Sequence, residues 1–241
     1  MGEVIRCRGA KICSPFVSRD PLSSSVYYVS AGTGEIFECV SPENSSQQQH
    51  VSLAFTGGEP YSAQFDQKGR IHIADCAHAA VLRVDDNGQP GVMVKAYEER
   101  AFRGPSAIAF GSSSQSDDRG DDTIYFTDSG PLGETTLEKP RGSIFSICTS
   151  PSGGQILRPL ALECLAHPCG IAASPFDSKV LFVAEMMQNR IVRLCRRPSN
   201  THHMSVFHQF AGGFGPSCIA CDKSGNLFVG HFDFAEVSPD N

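Results

Sequence analysis

The sequence of 241 residues contains no tryptophan, no apolar run of membrane-spanning length and no stretch with the period of a helix of several turns. A bilayer core needs about 20 consecutive apolar residues per helix, so a helical transmembrane protein is excluded. Charge is sparse: 19% of residues are Asp, Glu, Lys or Arg, and the formal net charge is −6. That balance gives no overall attraction to nucleic acid or anionic lipid. The clusters Arg6/Arg8/Lys11 and Arg193/Arg196/Arg197 read as solvated faces. With 40% hydrophobic residues, a wholly disordered chain is excluded as well. The opening MGEVIRCRGAKICSPF lacks an apolar segment behind a basic one and does not read as a signal peptide. The expected address is therefore cytoplasmic, where the ten cysteines would be buried free thiols packing as small hydrophobes.

What is present is a repeat. Pro15, Pro60, Pro105, Pro168 and Pro216 are spaced by 45, 45, 63 and 48 residues, and each opens the same pattern of short apolar runs and turns. One run aligns without gaps as VYYVS (26–30), IHIAD (71–75), IYFTD (124–128), LFVAE (181–185) and LFVGH (227–231). These second strands end on a polar residue: Ser30, Asp75, Asp128, Glu185 and His231. Third strands follow as GEIFECV, AVLRVD, GSIFSIC and NRIVRLC, and outer strands as GVMVKAY, QILRPLALE and HMSVFHQF. The longest unit carries two insertions, at 112–122 and 130–142, and a polar loop occupies 41–50.

Four short strands per unit predict an all-β chain and one β-propeller domain, since each unit leaves an apolar face that only its neighbour can cover. The blade-like units are 13–56, 57–101, 102–164, 165–212 and an incomplete 213–241, about five of an expected six. A β-sandwich would not explain the repeated Pro-to-acid pattern.

The segments GPSAIAF with IYFTDSG, HPCGIAASPFDSKVLFVAEMMQNRIVRL and GPSCIACDKSGNLFVG resemble the six-bladed propellers of the senescence marker protein/gluconolactonase family. They also resemble strictosidine-synthase-like proteins and, more loosely, NHL-repeat proteins. The resemblance implies a propeller with one divalent cation at the channel mouth, held by Glu, Asn and Asp from the first strands of different blades. At the positions where the family carries these ligands, this sequence has Cys13, Cys169 and Ser217, and units two and three have Tyr61 and Ser106. No carboxylate remains among them to balance a hard cation. The leading expectation is a non-catalytic scaffold, without a cofactor, that binds a protein partner or a small molecule. The alternative is a hydrolase or lyase acting on a small ester or lactone through a rearranged site, and this alternative would need a divalent cation such as Ca or Zn.

Other residues carry weaker signals. Two carboxylates among Asp75, Asp128 and Glu185 could do acid–base work, but a repeated position at a strand end is expected to hold backbone amides. Cys13 and Cys169 could ligate a soft metal only if their blades faced each other. Cys218-x-x-Cys221 has no second pair, and residues three apart on a strand point to opposite faces. His202, His203 and His208 share one segment and read as exposed. There is no Ser-His-Asp order, nucleophile elbow or phosphate-binding loop.

Overall fold

The inner strands of the middle units form because both of their faces are covered, as at Ile71–Asp75 and Pro105–Phe110, whereas an outer strand such as His202–Gln209 is largely exposed. The computed structural model describes residues 12–17, 25–40, 49–111, 123–150 and 154–232. Sheet one comprises β1 (Ile12–Val17), β2 (Val26–Ser30), β3 (Glu35–Val40) and β4 (Gln49–Phe55). Sheet two comprises β5 (Pro60–Phe65), β6 (Ile71–Asp75), β7 (Ala80–Val84) and β8 (Pro90–Val94). A small hairpin, β9 (Ala96–Tyr97) with β10 (Arg100–Ala101), leads to sheet three. That sheet contains β11 (Pro105–Phe110), β12 (Ile124–Asp128), β13 (Gly142–Thr149) and β14 (Gln155–Leu165). Sheet four contains β15 (Pro168–Ala173), β16 (Val180–Glu185), β17 (Arg190–Arg196) and β18 (His202–Gln209). The fifth sheet has two strands among the described residues, β19 (Gly215–Cys221) and β20 (Leu227–Phe232).

Every sheet is an antiparallel meander in chain order, and the first strands β1, β5, β11, β15 and β19 pack side by side in that order. Among the described residues the only helical element is the 3₁₀ turn Met186–Gln188, and no helix is long and apolar enough to cross a membrane. The insertion at 112–122 and most of the loop at 41–50 lie outside the described residues. Residues 130–141 form an irregular loop that ends where β13 begins.

The core lies between the sheets, in layers set by strand alternation. Ile36, Val29, Ile73 and Leu82 fill the layer between sheets one and two. Val81, Ile108, Phe126 and Phe145 fill the next, and Ile144, Leu165, Val183 and Val192 the third. Successive residues such as Ile73 and Ala74 thus serve different layers. This explains why the second strands read as mostly apolar runs without strict alternation. Burying one such aliphatic or aromatic side chain contributes about 1.5–3 kcal/mol, so these layers hold the sheets against one another.

Three hairpins close with one device. Asp66, Asp85 and Asp222 each accept, through Oδ1, the amides two and four residues on, at 2.8–2.9 Å. The glycine three residues after each aspartate, at 69, 88 and 225, has φ of +76°, +77° and +81°. An L side chain rarely enters that region, which accounts for the recurring D-x-x-G.

Candidate functional site

The start of each first strand is where chemistry could converge. Pro60, Pro105 and Pro168 pair with Asp75, Asp128 and Glu185, and Pro216 pairs with His231. Each ladder slips immediately afterwards, leaving Tyr61, Ser106, Cys169 and Ser217 as bulged residues. A bulge re-aims its side chain, and all four residues line one central cavity of about 800 Å³. Sheet one departs from the expected alignment. There Ile12 pairs with Ser30 and Cys13 with Val29, the bulged residue is Ser14, and Pro15 lies beyond it opposite Tyr28. Pro15 is therefore not the counterpart of the other four prolines. Ser14 lines the cavity, whereas the side chain of Cys13 lies outside what the structure describes.

Two of these bulged residues, Ser106 and Cys169, fasten their sheet to the next one, whereas Tyr61 and Ser217 bond within their own unit. Ser106 Oγ donates to Pro168 O of the next sheet at 3.1 Å and contacts Thr127 Oγ1 at 2.9 Å. The Cys169 thiol repeats this one sheet on, donating to Pro216 O at 3.2 Å. Ser217 Oγ donates to Gly230 O at 3.1 Å, and Ser62 Oγ accepts the Ile108 amide at 3.3 Å. Tyr61 OH donates to Glu59 Oε2 at 3.3 Å. Burial pushes the Cys169 thiol up to about 12, so it is a hydrogen-bonding group and not a thiolate.

The carboxylates that end the second strands are turned away from the cavity. Asp128 accepts the Gly104 amide at 2.8 Å through Oδ1 and the Arg103 amide at 3.1 Å through Oδ2. Glu185 accepts the Ala166 amide at 2.8 Å and the Arg190 Nε at 2.7 Å. Asp75 Oδ1 accepts the amides of Glu59 and His78 at 3.1 and 3.0 Å. A side chain on Gly58 would collide with Asp75 Oδ1 and the His78 ring, so only glycine fits between them. In each case the acid holds an amide of the one or two residues before the first-strand proline, where the ladder does not reach. His231, in sheet five, instead bonds Asn189 Oδ1 at 2.8 Å through Nε2. Burial raises the Asp128 carboxyl, against the pull of the two amides and of the Arg103 charge.

No Asp, Glu, Lys or Arg lines the central cavity among the described residues. Its walls are Phe16, Phe65, Ile108, Phe110, Ile171 and similar side chains, and the bulged residues and His167 supply polar groups. Among the described residues no cluster of three or more His, Cys, Asp or Glu could hold a metal ion. A hard divalent cation wants several anionic oxygens, and this donor set of hydroxyls and a protonated thiol does not supply them. The cation implied by the family resemblance therefore does not fit.

His167 was not legible as a site residue. It lines the cavity, is 6% exposed, and sits in the left-handed region at φ +58°. Its Nδ1 is buried without a partner, and burial lowers the imidazole to about 4. The only sequence signal for it is a histidine directly before one of the repeat prolines. His202, His203 and His208 lie on the outer strand β18, with His203 and His208 exposed. A smaller pocket, about 320 Å³, lies beside the β9–β10 hairpin, where Arg103 is paired with Glu134 and Glu163 at 3.0 and 3.1 Å.

No family model and no curated protein matches this sequence. Solved structures do match the fold. A gluconolactonase of Xanthomonas campestris superposes with a TM-score of 0.72 at 19% identity, over 92% of this chain and 70% of that one. A calcium-binding regucalcin of Agrobacterium tumefaciens gives 0.65 at 16% identity, over 91% and 67%. A chain of a nidogen/laminin complex gives 0.61 at 16% identity, over 90% and 71%. The structural neighbours are thus gluconolactonase, regucalcin and related β-propeller proteins, as the sequence resemblance implies. One fold here serves an enzyme, a calcium-binding protein and a member of a protein complex, so function has to be argued from the site.

Proposed function

We propose that this chain is a non-catalytic propeller whose central cavity binds an uncharged, largely apolar small molecule. In this reading the five sheets are successive blades built on a six-bladed plan. The observation that carries the reading is the neutral cavity wall, with its neighbouring acids turned onto backbone amides. A volume of about 800 Å³ lies in the range of small-molecule sites, which are mostly apolar with a few placed polar groups. Hydrolysis of an ester or lactone needs a metal-activated water, a strong general base or an activated nucleophile. The cavity offers a histidine of low basicity and a thiol held protonated, so ground-state binding is favoured over turnover.

The test uses the full chain and two assays. Prodan, a neutral naphthalene ketone whose emission shifts in apolar surroundings, should bind at one site per chain. Glucono-δ-lactone and aryl acetates should hydrolyse at the buffer rate, with or without Ca, Mn or Zn. Turnover above buffer that a chelator abolishes would overturn the reading, and so would a failure to bind prodan.

A further inference from the structure

We infer that His167 is the polar anchor of the central cavity, donating a ring N–H to an acceptor oxygen of ketone, ester or ether type on an otherwise apolar ligand. The inference rests on the cavity-binding reading above and adds to it the chemistry of recognition.

Buried polar side-chain atoms in folded proteins nearly always have a hydrogen-bond partner. Among the described residues two do not: Asp75 Oδ2 and His167 Nδ1. Only His167 lines the central cavity. Its backbone is pinned on both sides: its amide donates to Thr135 Oγ1 at 3.0 Å, and its carbonyl accepts the Met186 amide at 3.1 Å. Gly130, Ser129 and Thr135 continue this support, since Thr135 Oγ1 donates to Ser129 O at 3.1 Å. The backbone of His167 is thus fixed at the wall, while neither ring nitrogen has a protein partner among the described residues.

The arrangement also selects the partner. A proton on Nδ1 would be a sealed N–H with no acceptor, so the proton belongs on Nε2, the nitrogen that is not sealed. Burial keeps the ring neutral at physiological pH, and among the described residues no carboxylate lines the cavity to draw a second proton onto it. A neutral N–H donor suits an uncharged acceptor. A carboxylate or phosphate ligand would need a cation, and an ammonium ligand an anion, and the described wall residues supply neither. Phe16, Phe65, Ile108, Ile171 and Met186 supply the apolar remainder.

The experiment compares prodan with the same dimethylaminonaphthalene lacking the propionyl carbonyl, on the full-length wild type and on His167→Phe. One neutral hydrogen bond in an apolar site corresponds to about a tenfold change in affinity. His167→Phe should weaken prodan by about that factor and leave the carbonyl-free analogue unchanged. If both probes bind but the variant affects them equally or not at all, the role of His167 is overturned while the cavity reading stands. If neither probe binds the wild type, both fall together. His167→Asn, which keeps a donor and tolerates a left-handed backbone, guards against a folding failure of the first variant and should retain part of the discrimination. In wild type labelled with [¹⁵N]histidine, prodan and not its analogue should shift the Nε2 signal of an imidazole that stays neutral at pH 5. Absence of that shift would also overturn the assignment.

Discussion

Asp128→Ala is the sharpest probe of what the repeated acids do. The carboxylate is 4% exposed and holds two amides, Gly104 at 2.8 Å and Arg103 at 3.1 Å. Those amides cannot move to other partners easily. Gly104 has φ +146°, and a Cβ there would meet Cys76 Sγ at 2.5 Å and Gly130 Cα at 3.1 Å, so the entry to β11 is confined. Orphaning a buried donor costs about 1–3 kcal/mol, so removing the acceptor of both amides should cost about 2–6 kcal/mol. That is a large part of the 5–15 kcal/mol typical of a folded domain. With a urea dependence of about 3 kcal/mol per molar, the midpoint should fall by about 0.7–2 M. Asp128→Asn retains one acceptor oxygen and should lose roughly half as much. Urea titration followed by far-UV circular dichroism reads both. A midpoint for Asp128→Ala within about 0.3 M of wild type would refute the reasoning. A variant of unchanged stability that lost a measurable turnover would make the acid catalytic instead.

Two further outcomes follow from the titrating groups. Burial opposes ionisation of Asp66, but the Arg70 amide and the His72 and Arg70 side chains outweigh it and hold the carboxyl at about 2, below its ordinary 3.8. A depressed carboxyl stabilises the fold above its unfolded value, so this contribution should be lost as pH falls from about 4 to about 2. Melting temperature against pH should therefore be flatter over that window in Asp66→Asn, and an unchanged slope would contradict the assignment. Burial also raises Cys76 to about 11 and Cys169 to about 12, whereas Cys218 is exposed. Brief iodoacetamide treatment at pH 8 with peptide mapping should label Cys218 well before Cys76 or Cys169. Prompt labelling of Cys169 would show an activated thiol at the cavity wall.

The second strands of sheets two and three were legible because they are buried on both faces, so IHIAD and IYFTD stand out as short, mostly apolar, β-rich runs closing on an acid. The acids at strand ends could be read for a related reason: Asp75, Asp128 and Glu185 recur at one position in three of the units. Register was not legible in sheet one. Pro15 resembles the other prolines, but the bulge falls between Cys13 and Pro15, and only the ladder with β2 shows that Ser14 is the residue turned inward. His167 escaped notice because its burial and its anchoring depend on Thr135, thirty-two residues away, and on the Met186 turn. A lone histidine before a proline carries no trace of those contacts.

In the proposed function the cavity is a neutral binding site and not a cation site. Isothermal titration of calcium into chelator-treated, full-length protein tests it directly. No saturable heat is expected up to millimolar calcium, and no change in melting temperature. Stoichiometric binding at micromolar calcium, with a rise in melting temperature, would contradict it and place carboxylate ligands at the channel mouth.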